Sequence, residues 1–377
     1  MKSSHLFLIA SLSMTGAVLA QDAYIINQQR FVKIAPAYQR WSVEGDNQFS
    51  EFSIPIQIYF PFSRNWSVTL LGNQASAKGE ALLDSSSTIR GQALPKLSGL
   101  ADTQLSVRYF LETMNLALDL GLNLPSGKSE LELQEFRTSA ELSANIFDFQ
   151  VPNFGQGFNV SPGLTWAVPV RDNLVFGLGA SFQYKGSFKP VAGLIDDFDP
   201  GDEVLFTGGL DLRLNETTTL SSDLIFTLYG TDKIGDTEIF AAGNKLVANA
   251  QFRKYFDFNE LWLFVRYRRS AKNELARVGV GLIPEAKKTT PDQIEIMGHY
   301  QARFTRRFSM RFLAEGRIYQ DTPAFEGVKL FGGGLTPIFL ASANFQLLGH
   351  FKFLTGSFDG GDKLSGLEIG VGMIAKF

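Results

Sequence analysis

The chain contains no cysteine. That absence removes disulfide scaffolds, thiolate-ligated zinc, iron–sulfur centres and cysteine nucleophiles from consideration. Charge is also scarce: Asp, Glu, Lys and Arg make up 19% of 377 residues, where soluble domains use about 25%. The two signs nearly balance, at 35 basic against 38 acidic residues, so there is no cationic footprint for nucleic acid. Only three histidines occur, and His5 lies in the N-terminal segment. His299 and His350 accompany no recognisable Ser or paired-carboxylate motif. Dinucleotide fingerprint, P-loop and helical metal motifs are missing too. The expectation is therefore a protein that is not an enzyme and needs no cofactor. Beyond residue 20 no run approaches 18 consecutive apolar residues, so no helical membrane span is expected. What the chain has in quantity is 45% hydrophobic content, 36 Gly and 34 Phe, which excludes disorder.

Residues 1–20 have the three parts of a secretory signal peptide: Lys2, the apolar run 6–12, and Val18-Leu19-Ala20 before an expected cleavage after Ala20. The apolar run is shorter than the roughly 20 residues a transmembrane anchor needs. Residues 21–377 are then expected to form one exported domain.

That domain alternates with period two. Phe52, Ile54, Ile56, Ile58 and Phe60 share one face of a strand; Ser53, Pro55, Gln57 and Tyr59 share the other. Leu116, Leu118, Leu120, Leu122 and Leu124 repeat the pattern against Ala117, Asp119, Gly121 and Asn123. Two architectures present a wholly apolar face of this kind: a soluble sandwich that turns it inward, and a membrane barrel that turns it to lipid. The opposite faces carry Gly, Ser, Thr, Asn, Gln and isolated charges, which suit a water-filled lumen. The spacing predicts an all-β, transmembrane, antiparallel up-and-down barrel of about 16 strands, with fourteen the other count. Short turns are expected at 61–65, 112–115, 171–173, 215–218, 256–260 and 305–307, with a weaker one at 336–341. Long connections alternate with them at 77–99, 125–154, 187–202, 231–243 and 270–292. Bacterial barrels place short turns in the periplasm and long loops outside the cell. Residues 275–284 read as an extra strand or an inward loop, and the run Gly332-Gly333-Gly334 softens strand fourteen.

Leu367, Ile369, Val371, Met373, Ala375 and Phe377 form one face of the last strand, which ends on the terminal aromatic. This resembles the C-terminal signature of bacterial outer-membrane barrels, in which Phe377 would be read by the barrel-assembly machinery. Aromatic residues beside the short turns, Phe60, Trp66, Phe256, Phe304, Phe308 and Phe345 among them, are placed for an interfacial girdle. The phase of Phe110 and Trp262 points them into the lumen instead.

Residues 99–131 read GLADTQLSVRYFLETMNLALDLGLNLPSGKSEL. The G-x-x-D lead-in, the strand with Arg-Tyr, the Leu-alternating strand and the L-P-S-G-K run resemble an outer-membrane barrel family. It is the family associated with the meta-pathway of phenol degradation, loosely related to long-chain fatty-acid channels. The resemblance implies a channel for passive uptake of small hydrophobic or aromatic compounds. A fatty-acid channel would carry a longer plug before strand one than residues 21–29 allow. The alternatives are a general diffusion porin for small polar or anionic solutes and a non-transporting structural barrel.

The lumen phase of strands ten to thirteen carries Arg253, Arg266, Arg268, Glu295, His299, Arg303, Arg311, Glu315 and Arg317. Arg facing lipid near the midplane would cost about 2–4 kcal/mol, so this phase is physically enforced. The patch reads as a cationic selectivity wall, or as a salt-bridge network that stiffens the barrel. Apolar loop segments at 81–83 and 191–195, and the stretch 129–149 with Phe136, Leu142, Ile146 and Phe147 on one side, read as a capture site for hydrophobic solutes. The same stretch also reads as a constriction folded into the lumen. Expected partners are outer-membrane lipid and lipopolysaccharide, the assembly machinery and a small-molecule solute, with no nucleic acid. The expected location is the bacterial outer membrane.

Overall fold

The computed structural model describes residues 29–44, 47–83, 90–195 and 197–377. The signal segment 1–20 lies outside the described residues. Sixteen antiparallel spans close into one barrel. They are β1 (Phe31–Ile34 and Ala37–Val43), β2 (Asn47–Pro61), β3 (Trp66–Glu80), β4 (Ala93–Leu100 and Thr103–Leu111) and β5 (Leu116–Leu124). Then follow β6 (Asn159–Arg171), β7 (Leu174–Lys185), β8 (Glu203–Asn215), β9 (Thr218–Tyr229), β10 (Lys245–Phe256) and β11 (Asn259–Ser270). The series ends with β12 (Gln293–Arg303), β13 (Phe308–Tyr319), β14 (Val328–Ser342), β15 (Phe345–Phe358) and β16 (Lys363–Lys376). Closure joins β16 to both pieces of β1, with Phe31 opposite Lys376 and Tyr38 opposite Ile369. The seam is completed by the Phe377 N–H, which donates to the Arg30 carbonyl at 3.0 Å.

The two faces sort as the alternation requires. Phe52, Ile56, Leu118, Leu120, Ile369, Val371 and Met373 are all exposed on the outside, while Ser53, Ala117 and Glu368 are buried inside. A continuous apolar exterior is stable only against lipid, so this is the membrane-spanning form of the barrel. Phe62 and Phe258, both in short turns, join Trp66, Phe256, Phe304 and Phe377 as exposed aromatics at the short-turn end. Leu120→Arg on the outer face should destabilise the barrel by about 2–4 kcal/mol if near the midplane, whereas Ser106→Arg on the neighbouring inner face should be close to neutral. Urea titration of refolded protein in lipid vesicles checks this, and equal shifts would mean the faces are reversed.

Three sequence expectations are revised. The turn expected at 336–341 lies at residues 343–344 instead, because β14 runs on to Ser342. Pro337 has no N–H to give, and its rung is skipped, yet the pairing with β15 resumes in unchanged register at Ile338. Residues 275–284 are neither a barrel strand nor an inward loop. Glu274–Arg277 and Gly281–Pro284 form a hairpin in a separate five-stranded sheet, with Phe198–Asp199, Thr231–Ile234 and Thr237–Ala241, at the long-loop end. Gly332 and Gly334 do not soften β14: a Cβ there would lie 2.0 and 2.4 Å from the Phe353 and Phe351 carbonyl oxygens. Those glycines let β15 approach closely.

Candidate functional site

The lumen is shaped by the long connection 125–158, which turns into the barrel. It carries helix α1 (Leu133–Leu142), begun by a capping box in which Glu132 and Glu135 each bond the other's backbone N–H. Burial opposes ionisation of the Glu135 carboxyl, but its hydrogen bonds from Lys128 and from the Glu132 backbone outweigh that and hold it below the usual carboxylate range. Leu142 at the end of the helix, and Ile146, Phe147, Phe149, Val151 and Phe154 after it, are all buried among inward side chains of β1–β4 and β13–β16, including Trp41, Phe49, Leu97, Leu330 and Leu354. Burying a side chain of that size is worth about 1.5–3 kcal/mol, which favours a docked segment over one loose in water.

Polar contacts fix the register of docking. Trp41 Nε1–H donates to the Phe147 carbonyl at 2.9 Å, and the Tyr319 hydroxyl to the Asn145 carbonyl at 2.9 Å. Gln39 donates to the Asp148 carbonyl at 3.2 Å and accepts from the Gln150 N–H at 2.9 Å. Asp148 has φ 52°, a left-handed conformation unusual for a residue other than glycine. In that conformation its carboxylate accepts from Arg317 Nη2 at 2.8 Å.

The G-x-x-D and L-P-S-G-K segments form the hinge of this insertion. Asp102 interrupts β4, and its carboxylate accepts from Gly127 N–H at 2.9 Å, Gln156 N–H at 2.8 Å and Asn123 Nδ2 at 2.8 Å. One side chain thus ties the start and the end of the inserted segment together. A Cβ on Gly127 would lie 1.9 Å from the Phe154 carbonyl oxygen, so only glycine fits there.

The structure divides the nine lumen residues read from the sequence into three groups. A middle belt runs from strand to strand. Asn249 donates to Asp223 at 2.6 Å and accepts from Arg266 Nε at 2.9 Å, and Arg266 pairs with Glu295 at 3.4 Å. Arg268 lies 3.9 Å from Glu295 and donates to Gln293 at 2.9 Å. Arg317 pairs with both Glu315 and Asp148. Lys352 continues the belt, at 3.6 Å from Glu315 and 3.1 Å from Glu368, which His350 approaches to 3.2 Å. Nearer the short-turn end, Glu260 lies 3.3 Å from Arg253 and 3.9 Å from His299, and Arg311 donates to Gln301 at 3.0 Å. Arg303 stands apart from both groups. It is exposed at the rim, where it donates to the Thr305 and Arg306 carbonyls and lies over the Phe258 ring. The single patch expected from the sequence is therefore a belt, a lower cluster and a rim residue.

Two of the open spaces beside the inserted loop extend along the barrel wall. One, of about 1450 Å³, lies at the long-loop end between the C-terminal part of α1 and β9–β13. Its apolar lining includes Ile146, Tyr229, Phe240, Tyr319 and Phe325, and its cationic lining is Lys245 and Arg268. Lys245 is buried and, among the described residues, has no carboxylate partner at ion-pair distance. The other space, of about 1050 Å³, runs down the inner face of β3–β8 and is lined by small or polar residues such as Ser106, Gly121, Ser161, Gly163, Thr165 and Ser181.

With this geometry in hand, comparison with known proteins shows a shared fold. CdiB from Acinetobacter baumannii superposes with TM-score 0.53 at 10% identity, over 90% of this chain and 60% of that one. OprB of Pseudomonas putida superposes with TM-score 0.47 at 8% identity, over 95% of this chain and 96% of that one. OpdQ of Pseudomonas aeruginosa gives 0.46 at 10% identity, over 93% and 98%. No family model and no curated protein sequence matches the chain. The resemblance of residues 99–131 to the phenol meta-pathway family thus gains no sequence match of its own.

Sequence reasoning missed Lys245, Asp102 and Asp148. Asp102 lay inside the quoted motif, and Lys245 was already in the inward phase of β10, at the start of the strand. Asp148 had no signal, since its role depends on where the loop docks.

Proposed function

We propose that the chain is a bacterial outer-membrane channel for passive uptake of small aromatic or otherwise apolar compounds, above all those with an anionic end. The observation that carries this reading is the space beside α1, where tyrosine and phenylalanine rings face the cations Lys245 and Arg268. Such a lining suits a ring at one end of a solute and a carboxylate or phenolate at the other. The phenol meta-pathway resemblance of residues 99–131 points to the same class of cargo. Passive movement follows from the absence of a nucleotide motif in the chain and of ATP in the periplasm. Outer-membrane lipid, lipopolysaccharide and the assembly machinery are the surroundings this function requires.

Uptake into proteoliposomes of benzoate, compared with a pentose of similar size, tests the proposal. Benzoate should enter faster, and Lys245→Ala or Arg268→Ala should lower its rate by about tenfold, the loss of one charge-assisted hydrogen bond of ~1.5 kcal/mol. The pentose rate should not change. Equal rates for both solutes in the wild type would favour the second reading, a general diffusion pore for small polar or anionic solutes. The Ser- and Thr-lined space along β3–β8 supports that reading.

A further inference from the structure

Below the middle belt, the inward side of β11 and β12 carries an unbroken stack. The Arg266 guanidinium lies 4.9 Å from the centroid of the Phe264 ring. Phe264 stacks on Trp262, with centroids 5.4 Å apart and planes at 9°, and Trp262 stacks on His299 at 5.0 Å and 26°. The stack follows from register. Phe264 and Trp262 are two apart on one strand, so both face the lumen, and Trp262 is directly opposite His299 across the ladder. The indole N–H is held by Gln251 Oε1 at 3.2 Å, which fixes the ring's orientation.

The lower end of this stack has unused hydrogen-bonding capacity. His299 Nε2 and Arg311 Nε are both buried from solvent without a hydrogen-bond partner. Glu260 is the carboxylate nearest to His299, and at 3.9 Å it is too far to hydrogen-bond that nitrogen. Arg311 pairs across the ladder with Gln301, two residues beyond His299 on the same face, so both side chains belong to one part of the lumen wall. Buried polar atoms are nearly always satisfied, so a pair left open beside stacked rings is a place prepared for an acceptor. Stacked rings add to this, because aromatic edges are electropositive and favour an anion or the face of another ring.

We propose that Trp262, His299 and Arg311 form a second solute site near the short-turn end of the lumen, specific for aromatic carboxylates. It would take the carboxylate on Arg311 and His299 and set the solute ring against Trp262. This site rests on the channel reading and adds to it: solute leaves the Lys245–Arg268 space, passes the belt and pauses here before release. A weak site at each end of a path permits both capture and release.

Benzoate binding to the refolded full-length protein, followed by tryptophan fluorescence, tests the site. Saturable quenching is expected, and Trp262→Phe should abolish the signal. Arg311→Gln should weaken the apparent affinity at least fivefold, while cyclohexanol, which has neither ring π-face nor charge, should not quench. Heat-modifiable gel mobility establishes that each variant is folded. Should Arg311→Gln misfold, His299→Gln serves in its place, with weaker binding again expected. Quenching that persists in Trp262→Phe, or equal affinity in wild type and both polar variants, would overturn the proposal. Uptake is a separate readout: binding at this site without any benzoate uptake would leave the site standing and remove the channel reading.

Discussion

Deleting Phe377, or replacing it with Asp, should reduce folded barrel in the membrane to a small fraction of the wild-type amount. The last strand closes the structure from both sides. β16 pairs with β15 from Ser357↔Lys363 to Phe345↔Ala375, and with both pieces of β1. Phe377 is the outermost member of its lipid-facing row, exposed beyond Ile369, Val371 and Met373. A carboxylate at that place would have to stay at the interface and would forfeit the anchoring of the ring. Its backbone N–H to Arg30 is also the final bond of the seam. An unclosed barrel leaves two strand edges unpaired in lipid, where each unsatisfied group costs several kcal/mol. Membrane fractionation and heat-modifiable mobility read the outcome, and wild-type amounts of folded Phe377 variant would reject the assembly role proposed for this residue.

Replacing residues 132–146 with a short Gly-Ser linker should raise the permeation of polar solutes by more than tenfold and erase discrimination by size. The segment holds α1, and its Leu142 and Ile146 are buried in the cluster formed with inward side chains of β1–β4 and β13–β16, so its removal would open part of that space to water. Weakening the hinge with Asp102→Ala should act in the same direction with smaller effect, because the buried Phe147 and Phe149 still hold the segment down. Liposome swelling with sugars of increasing size measures both. If the linker variant, shown to be folded, admits no larger sugars than the wild type, the segment does not set the width of the path.

The barrel itself was legible because lipid enforces a simple rule. Each strand needs one continuous apolar face, and Leu116 to Leu124 or Leu367 to Phe377 can be read residue by residue. The inward phase of the arginines was legible for the same reason. The inserted segment was less so. Its helix and its apolar side were visible at 129–149, but the wall it docks on was not recognised. Trp41, Phe49, Leu97, Leu330 and Leu354 all occupy inward positions that a water-filled lumen would fill with polar residues. Those apolar residues in the wrong phase, gathered on neighbouring strands, were the available signal. The grouping of the charges was not legible at all. Arg303 shares the phase of Glu295 and His299, yet it sits on the last rung of its ladder, opposite Ser309, where turn carbonyls claim it. Trp262 and His299 are far apart in sequence and meet only through the pairing of β11 with β12.

Recording current across a planar bilayer containing the purified, folded protein separates a channel from a closed structural barrel. Stepwise conductance increases are expected as single barrels insert, with larger steps for the linker variant at 132–146 and partial, reversible block of the wild-type steps by added benzoate. Folded protein that inserts and carries no current, before and after removal of the segment, would contradict a channel and leave a structural barrel in its place.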